Sequence, residues 1–378
     1  MNLEKRIIAF VKLGEFLRKN AYLECKETIL AEAIKNASKH NGWFTEENIL
    51  LAIGSLGEML REDKIRRWIS KYPSNKYQVS GIKRVGVIMA GNIPLVGFHD
   101  FLCVLMSGNN FVGKLSSEDK FLLPAVAEIL CEIEPEFKDK INFAPALKGG
   151  NAQSPFRDLG HTRSEVSALI ATGSNNSARY FEYYFGKYPH IIRKNRNAIA
   201  ILDGNETEAD LKNLGKDIFQ YFGMGCRNVS KIYIPLDYNL DTFFSAIVDF
   251  GDVINHNKYY NNHIYHRTIY LLHQEKFLDN NFLMLIESVQ IASPVATLYY
   301  ERYKSKKELF QKLEEQKENI QCIVSNFKSL REESSGQVTP EGVLQTSHKS
   351  VPFGQTQNPE LWDYADGVDT MKFLLNMK

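Results

Sequence analysis

The sequence predicts an α/β fold with parallel sheets behind a helical N-terminal region. From residue 83 onward, short apolar runs alternate with helix-like segments, a pattern typical of βαβ units. Residues 1–72 instead place apolar side chains three to four positions apart, as amphipathic helices do. The 378 residues are 44% hydrophobic and 24% charged, which is ordinary for a globular protein with a sizeable core.

The charge balance argues against a nucleic-acid partner. There are 46 basic and 45 acidic side chains, a formal net charge of +1, whereas nucleic-acid binders usually carry a clear basic excess. The most apolar stretch, residues 85–112, is interrupted by glycine, proline and polar residues, so no transmembrane segment is predicted. The N-terminus also lacks the apolar core and cleavage site of a signal peptide.

The cysteines indicate a reducing compartment. There are five of them, an odd number, and no two form a CxxC pair. Free thiols in the cytosol fit this pattern better than a disulfide framework does. We therefore predict a cytoplasmic protein.

In the N-terminal region, Thr45 is a candidate helix cap. Glu46 and Glu47 follow it and are favourable in a first helical turn. Apolar residues then recur at helical spacing, namely Ile49, Ile53, Leu56 and Leu60.

A first set of alternating elements follows this helical region. Its strands are predicted at residues 84–90, 110–115, 140–143, 166–172 and 198–202, with helices near 97–107, 121–133 and 175–185. Parallel sheets bind ligands at the carboxyl ends of their strands. The turns that follow these strands are therefore the places to look for a site.

A second α/β set comes after residue 206. It comprises a helix near 207–222 and strands at 231–234, 295–300 and 320–324. The charge run 304–317 is predicted to be the solvated face of a helix. Residues 330–349, rich in Ser, Gly, Thr and Glu, are predicted to form a mobile loop.

Cys226 is the candidate nucleophile. Gly223 and Gly225 precede it and allow tight backbone geometry, and Arg227 could lower the pKa of its thiol. A buried structural cysteine is the alternative at this position. That alternative is favoured for the other four cysteines, which lack special neighbours: Cys25, Cys103, Cys131 and Cys322.

Three turns after predicted strands carry further candidates. The amide of Asn92 could donate to an oxyanion. Lys114 could reach a ribose or phosphate, and Gly173 and Ser174 would open a helix whose N–H groups suit a diphosphate. An ordinary turn asparagine, a solvated lysine and a plain turn are the respective alternatives.

The histidines between residues 255 and 266 are candidate metal ligands. His256, His263 and His266 lie close in sequence, but no cysteine or carboxylate completes a set at ligand spacing. We predict an aromatic-rich loop or pocket wall and no metal. His348 could act as an acid near the site, although a surface loop histidine is favoured.

Motifs in a fixed order relate the chain to a known family. GNIP at 91–94, KLSS at 114–117, TGS at 172–174 and the glycine-flanked Cys226 resemble the aldehyde dehydrogenase superfamily. Within it, the chain is most similar to the LuxC-like acyl-CoA reductases, which make fatty aldehydes from acyl thioesters. Tail motifs support this branch: VPFGQ at 351–355, LWDY at 361–364 and DGVDT at 366–370.

The resemblance implies an aldehyde-dehydrogenase-like fold. Residues 1–203 would hold the N-terminal helices and a Rossmann-type domain that binds a nicotinamide cofactor. Residues 204–345 would form the catalytic α/β domain with the nucleophilic cysteine. Residues 346–378 would form a C-terminal segment that returns to the active-site cleft.

The resemblance also implies roles for individual residues. Cys226 matches the family nucleophile, and Asn92 matches the asparagine that stabilises the oxyanion together with the Cys226 N–H. The other matched residues belong to cofactor binding, namely Lys114 at the ribose, Ser116 and Ser117 beside it, Gly173 and Ser174 at the diphosphate, and Phe353 near the nicotinamide.

Two departures from the family pattern bear on chemistry. Ile192 aligns with the glutamate that activates water in aldehyde-oxidising members, and an isoleucine cannot be a general base. Hydrolysis of the acyl-enzyme should therefore be slow. Ser117 aligns with a glutamate common in NAD-preferring members, so a 2′-phosphate meets no repulsion there and NADPH is favoured, with NADH also allowed.

We therefore predict a reductase that converts an acyl-CoA or acyl-protein thioester to an aldehyde through an acyl-Cys226 intermediate. One alternative keeps Cys226 but uses an acyl phosphate donor. The other is a non-catalytic partner of an acyl-protein synthetase. The resemblance further implies a homo-oligomer.

Overall fold

The computed structural model describes residues 1–22, 28–77, 81–143, 166–327 and 350–377. The chain divides into two compact units, one made of Met1–Asn195 with Pro359–Lys378 and the other of Arg196–Asn358. The predicted loop at 330–349, together with Cys25 and His348, lies outside the described residues. No helix within the described ranges is both long and apolar enough to cross a membrane.

The first unit begins with helices, as predicted. They are α1 (Leu3–Tyr22), α2 (Ile29–His40), α3 (Glu46–Met59) and α4 (Glu62–Ile69). Thr45 caps α3, where its hydroxyl accepts the Asn48 N–H at 3.2 Å. Thr28 caps α2 in the same way, by accepting the Ala31 N–H at 3.1 Å.

Among the described residues, the first unit holds a five-stranded parallel sheet of order β3-β2-β1-β4-β5. Its strands are β1 (Arg84–Ile88), β2 (Asn110–Lys114), β3 (Ile141–Phe143), β4 (Ala168–Thr172) and β5 (His190–Arg193). Its helices are α5 (Phe98–Met106), α6 (Leu122–Ile133) and α7 (Asn175–Phe185). Apolar side chains of β1, β2 and β4 are buried on both faces, which explains their continuous apolar sequences.

One predicted strand of this sheet was misplaced. The run at 198–202 was predicted to belong to this sheet, but it pairs with strands of the second unit. The fifth strand of this sheet is instead β5, which lies beside β4. β5 escaped prediction because it is short and ends in Arg193, a charged residue that is only 5% exposed.

In the second unit, the described residues form a seven-stranded sheet of order β12-β11-β6-β7-β10-β9-β8. All its pairings are parallel except β8 with β9. The strands are β6 (Asn197–Ile201), β7 (Val229–Pro235), β8 (Phe277–Asp279), β9 (Met284–Glu287), β10 (Thr297–Tyr303), β11 (Ile320–Ser325) and β12 (Ser350–Val351). The helices are α8 (Glu208–Phe219), α9 (Leu240–Ala246), α10 (Asn257–Leu272) and α11 (Lys306–Glu315).

Helix α10 corrects the predicted loop at 255–266. His256 caps it, accepting the Tyr259 N–H at 3.3 Å. This helix could not be predicted from apolar periodicity, because apolar side chains such as Ile264, Tyr265 and Leu272 lie on its exposed face. The helix therefore lacks a single apolar stripe.

The unit boundaries differ from the predicted domain limits. The first boundary falls after Asn195 rather than after residue 203, because β6 hydrogen-bonds to β7 and β11 in the second sheet. The C-terminal segment also divides. Its part up to Asn358 belongs to the second unit, whereas Pro359 onward, including α12 (Thr370–Leu375), belongs to the first.

Candidate functional site

The carboxyl edge of the five-stranded sheet gathers the candidates of the first unit. Ile88 at the end of β1 pairs with Lys114 on one side and with Ala171 on the other. The turns that follow these three strands therefore start level with one another. They carry the half-buried Asn92 after β1 and Gly173 after β4.

The turns after β1 and β2 pack directly against each other. A Cβ atom built on Gly91 would lie 2.5 Å from the Ser116 hydroxyl oxygen, so only glycine fits there. That hydroxyl accepts the Glu118 N–H at 3.2 Å. Ser117 is exposed, and its carbonyl oxygen lies 2.7 Å from His40 Nε2.

A buried acid, Asp119, braces the turn that carries Asn92. Leu95 has a φ of 58°, a left-handed conformation that is strained for a leucine. Its N–H donates to Asp119 Oδ2 at 2.8 Å, and Asp119 is only 7% exposed. Burial raises the pKa of Asp119 to about 6, although hydrogen bonds from the Leu95 and Leu122 backbone oppose the shift. Local sequence does not indicate this role of Asp119, because its partner Leu95 lies in another turn.

Asp119 should make stability depend on pH. Since its folded pKa of about 6 exceeds the unfolded value of about 3.9, the folded state holds the proton more tightly. The contribution of Asp119 to the free energy of unfolding should fall as pH rises from about 4 to about 6, by at most about 3 kcal/mol. In Asp119→Asn this pH dependence should disappear. Urea unfolding followed by tryptophan fluorescence reports on it, because Trp43, Trp68 and Trp362 all lie in the first unit.

The control for this experiment is Glu118→Gln, which removes an exposed neighbouring carboxylate. It should keep the wild-type dependence on pH. Parallel curves for wild type and Asp119→Asn between pH 4 and pH 7 would contradict the assignment.

Helix α7 begins at the turn after β4. Ser174 caps it, accepting the Ser177 N–H at 3.2 Å. A Cβ on Gly173 would lie 2.8 Å from Ser177 Cβ, so the turn needs a glycine to bring its backbone this close. Backbone N–H groups at such a helix start favour anionic groups.

At the end of β5, two neighbouring residues differ in their surroundings. Ile192 is half-buried and packs against the apolar cluster that includes Ile88 and Leu169. Arg193 is buried and forms two hydrogen bonds with Asp100, at 2.5 and 2.8 Å.

In the second unit, Cys226 lies at the tip of a tight turn. The Asn228 N–H donates to the Gly225 carbonyl at 3.0 Å, which places Cys226 and Arg227 at the two central positions. Cys226 is exposed, unlike Cys103 and Cys322, which are buried. The structure therefore excludes the alternative of a buried structural cysteine at this position.

The backbone leading to this turn is strained. Tyr221, Phe222 and Gly223 have φ values of 53°, 57° and 75°, so two bulky aromatic residues adopt the left-handed conformation. Each non-glycine case costs about 1–2 kcal/mol. The Phe222 ring stacks on His256 with 4.2 Å between centroids. Such strain often accompanies functional sites.

Asn228 holds the cysteine turn in place. It is 1% exposed, and its side-chain oxygen accepts the Gly225 N–H at 2.8 Å. Its amide nitrogen donates to the carbonyls of Asp217 and Gln220, at 3.0 and 2.8 Å. The sequence does not indicate this role of Asn228, because the carbonyls of Asp217 and Gln220 come before the strained segment in the chain.

Phe353 is 5% exposed and packs in the apolar core of the second unit. The structure thus gathers the predicted site residues in two sets. Cys226 and Phe353 lie in the second unit, and the first unit holds the others, namely Asn92, Lys114, Ser116, Ser117, Gly173 and Ser174.

The histidines of the α10 region have protein partners. His263 Nε2 lies 3.1 Å from Asp279 Oδ1, and Arg267 Nε donates to the other oxygen of that carboxylate at 2.9 Å. Over the described part of the chain, no group of three or more His, Cys, Asp or Glu side chains could hold a metal ion.

Comparison with known proteins shows which family the chain resembles. Residues 15–241 match the family described as acyl-CoA reductase (LuxC). No curated protein sequence matches the chain.

Solved structures of aldehyde dehydrogenases are similar to the chain. Aldehyde dehydrogenase 21 from Physcomitrella patens, in complex with succinate, has a TM-score of 0.62 and 16% identity over 87% of this chain and 74% of that one. Indole-3-acetaldehyde dehydrogenase AldA from P. syringae, in complex with NAD+, has a TM-score of 0.61 and 13% identity over 86% and 72%. KauB from Pseudomonas aeruginosa has a TM-score of 0.60 and 14% identity over 86% and 72%. The chain therefore has the aldehyde dehydrogenase fold, which confirms the predicted fold class.

Proposed function

Because the chain belongs to the acyl-CoA reductase (LuxC) family, we propose that it reduces an acyl thioester to an aldehyde through an acyl group carried on Cys226. The observation that carries this proposal is the exposed thiol of Cys226 at the tip of its turn, behind a strained aromatic segment. The family membership itself shows an oxidoreductase of aldehyde chemistry. The thioester donor and the residue roles are our proposal.

In the proposed reaction, the Cys226 thiolate attacks the thioester carbonyl. A bond forms between its sulfur and the acyl carbon, the bond from that carbon to the donor sulfur breaks, and the donor leaves as a thiolate. Because thiols have pKa values near 8.5, the leaving group needs little help from an acid. The resemblance assigns the stabilisation of the intermediate oxyanion to Asn92 and the Cys226 N–H.

The residues of the first unit fit a nicotinamide cofactor. Gly173 lets the backbone come close at the start of α7, whose N–H groups suit a diphosphate. Lys114 ends β2, which lies on the other side of β1 from β4. When bound, the cofactor would supply the hydride that reduces the acyl group. Cys226 would then leave the reduced carbon as a thiolate, and the aldehyde would be released.

Two residues bear on the outcome and on the choice of cofactor. Ile192 is half-buried among apolar side chains and offers no group to activate water, which favours reduction over hydrolysis. Ser117 is exposed and brings no negative charge against a 2′-phosphate, which favours NADPH.

The proposal is tested by two measurements on the wild-type protein. Acyl-CoA esters of increasing chain length are supplied with NADPH or NADH, and cofactor oxidation and aldehyde are followed. Mass spectrometry then locates the acyl group after incubation with acyl-CoA alone. We expect NADPH oxidation and an acyl mass on the peptide that contains Cys226. Activity with acyl phosphates but not with acyl-CoA would instead support that donor, and folded protein inert towards every donor would refute the proposal.

Asn92→Ala should slow the transfer of the acyl group to Cys226. Removing one oxyanion donor typically costs 10²- to 10³-fold, or about 3–4 kcal/mol. Rapid-quench mass spectrometry measures the appearance of the acyl adduct. Asn142→Ala, on the exposed edge strand β3, is the matched control and should acylate at the wild-type rate. An Asn92→Ala rate within about threefold of wild type would remove Asn92 from the mechanism.

A further inference from the structure

A buried carboxylate of the second unit holds the chain segment that carries Phe353. Asp217 lies near the end of α8 and is 1% exposed. Its Oδ2 accepts the Gly354 N–H at 2.6 Å, and its Oδ1 accepts the N–H and the hydroxyl of Thr356 at 3.0 and 2.8 Å. The segment from Phe353 to Thr356 therefore curls around one carboxylate, as backbone does around an anion.

The glycine of the PFG motif is explained by this contact. Gly354 has a φ of 80°, a conformation that side chains disfavour, and a Cβ there would lie 3.1 Å from Asn213 Cβ. Only glycine can turn its N–H towards Asp217 at this position without strain.

The same aspartate also contacts the cysteine turn. Its backbone carbonyl accepts the Asn228 side-chain amide at 3.0 Å, and Asn228 in turn binds the Gly225 N–H. From the other side of the turn, Arg227 Nε donates to the Thr356 carbonyl. A closed set of contacts thus joins the Cys226 turn, the end of α8 and the segment 353–356 within the second unit.

The electrostatic balance at Asp217 depends on these contacts. Burial raises the pKa of its carboxyl group, whereas the Gly354 and Thr356 donors and the charge of Arg227 lower it. Buried donors without a partner are costly, so the two N–H groups fix the segment to this carboxylate.

We infer that Asp217 is a positioning residue for the reaction proposed above, and that it acts on the reduction of the acyl group rather than on its transfer to Cys226. The distinction follows from which atoms are used. Asn228 binds the backbone carbonyl at position 217, which any residue there retains, so the Cys226 turn survives loss of the carboxylate. The Phe353 segment is held by the carboxylate itself and loses its anchors. Because the resemblance places Phe353 near the nicotinamide, this loss should affect the reduction step.

The test compares two steps in Asp217→Asn. The side-chain amide nitrogen of asparagine is itself a donor, and it would face the N–H groups of Gly354 and Thr356 in place of an accepting oxygen. We expect acylation of Cys226 by acyl-CoA within about threefold of wild type. Reduction of the preformed acyl-enzyme on adding NADPH should slow about 10- to 100-fold, as a misplaced group can cause. Glu208→Gln removes an exposed acid from the same helix and should leave both rates unchanged.

Thr356 supplies a second, milder pair of variants. Thr356→Val loses only the hydroxyl donor, so reduction should slow by a smaller factor, whereas Thr356→Ser keeps the hydroxyl and should restore the wild-type rate. If Asp217→Asn fails to fold, this pair decides the question. An equal fall in acylation and reduction, or reduction within about threefold of wild type, would overturn the inference.

Hydrogen exchange separates this inference from the proposed function. In Asp217→Asn, amides at 350–358 should exchange faster, while those at 224–228 keep their protection. If wild-type protein is acylated by no donor, the proposed function fails, and the exchange result alone then decides whether Asp217 positions the segment. Unchanged exchange at 350–358 would overturn that role.

Discussion

Cys226→Ala is expected to abolish both the acyl adduct and NADPH-dependent reduction of acyl-CoA. In the proposed reaction the exposed thiol supplies the atom that carries the acyl group, so its removal leaves no covalent route. Removing a catalytic nucleophile costs roughly 10⁴- to 10⁶-fold in turnover. Intact-mass spectrometry without cofactor measures the adduct, and aldehyde formation measures the turnover.

Cys131→Ala is the matched control for that experiment. Cys131 is half-buried on α6, and burial raises the pKa of its thiol, so it should contribute little to adduct formation. The variant should therefore acylate as the wild type does. An adduct of equal mass and rate in Cys226→Ala would show that another residue carries the acyl group.

Asp100→Ala should destabilise the first unit by about 3–5 kcal/mol, because it leaves Arg193 buried without its counter-charge. Asp100 and Arg193 are 6% and 5% exposed, and the guanidinium also donates to the Thr370 hydroxyl at 3.0 Å. The pair therefore ties α5, β5 and α12 together. Urea unfolding followed by tryptophan fluorescence measures the loss.

Two further variants separate charge burial from a general effect of mutation. Lys194→Ala breaks an exposed pair with Glu182 and should change the free energy of unfolding by less than about 1 kcal/mol. The double variant Asp100→Ala with Arg193→Met removes both charges and should recover much of the loss. A double variant as unstable as Asp100→Ala alone would show that packing, not the unpaired charge, sets the cost.

The sequence predicted those parts of the fold that local patterns encode. The buried parallel strands β1, β2 and β4 are continuous apolar runs, and the N-cap residue Thr45 marks the start of α3 in the sequence. β5 was missed because the charge of Arg193 is hidden by Asp100, a residue far away in the chain. A one-dimensional pattern cannot show such a pairing.

In the candidate site, too, local sequence patterns predict some residues, whereas contacts between distant residues could not be predicted. Glycines in the sequence drew attention to Cys226 and to the turn at Gly173, because glycine marks unusual backbone geometry. Asp119 braces the turn of Asn92, Asn228 holds the Cys226 turn and Asp217 holds the Phe353 segment, yet each has partners in another element. The resemblance supplied residue roles but not these supporting contacts, which only the folded chain brings together.

The split of the C-terminal segment has a consequence for how the protein is made. In the first unit, Trp68 Nε1 donates to the Tyr364 hydroxyl at 2.6 Å and Tyr72 donates to Asp369 at 2.9 Å. Both tail residues leave the ribosome only after the whole second unit has been synthesised. The N-terminal helices and the first sheet therefore lack these contacts until the segment that begins at Pro359 has been synthesised. A nascent chain that stalls or is cleaved near residue 358 would have a first unit that lacks the segment with Tyr364 and Asp369. We expect such an incomplete unit to be bound by chaperones and degraded by proteases.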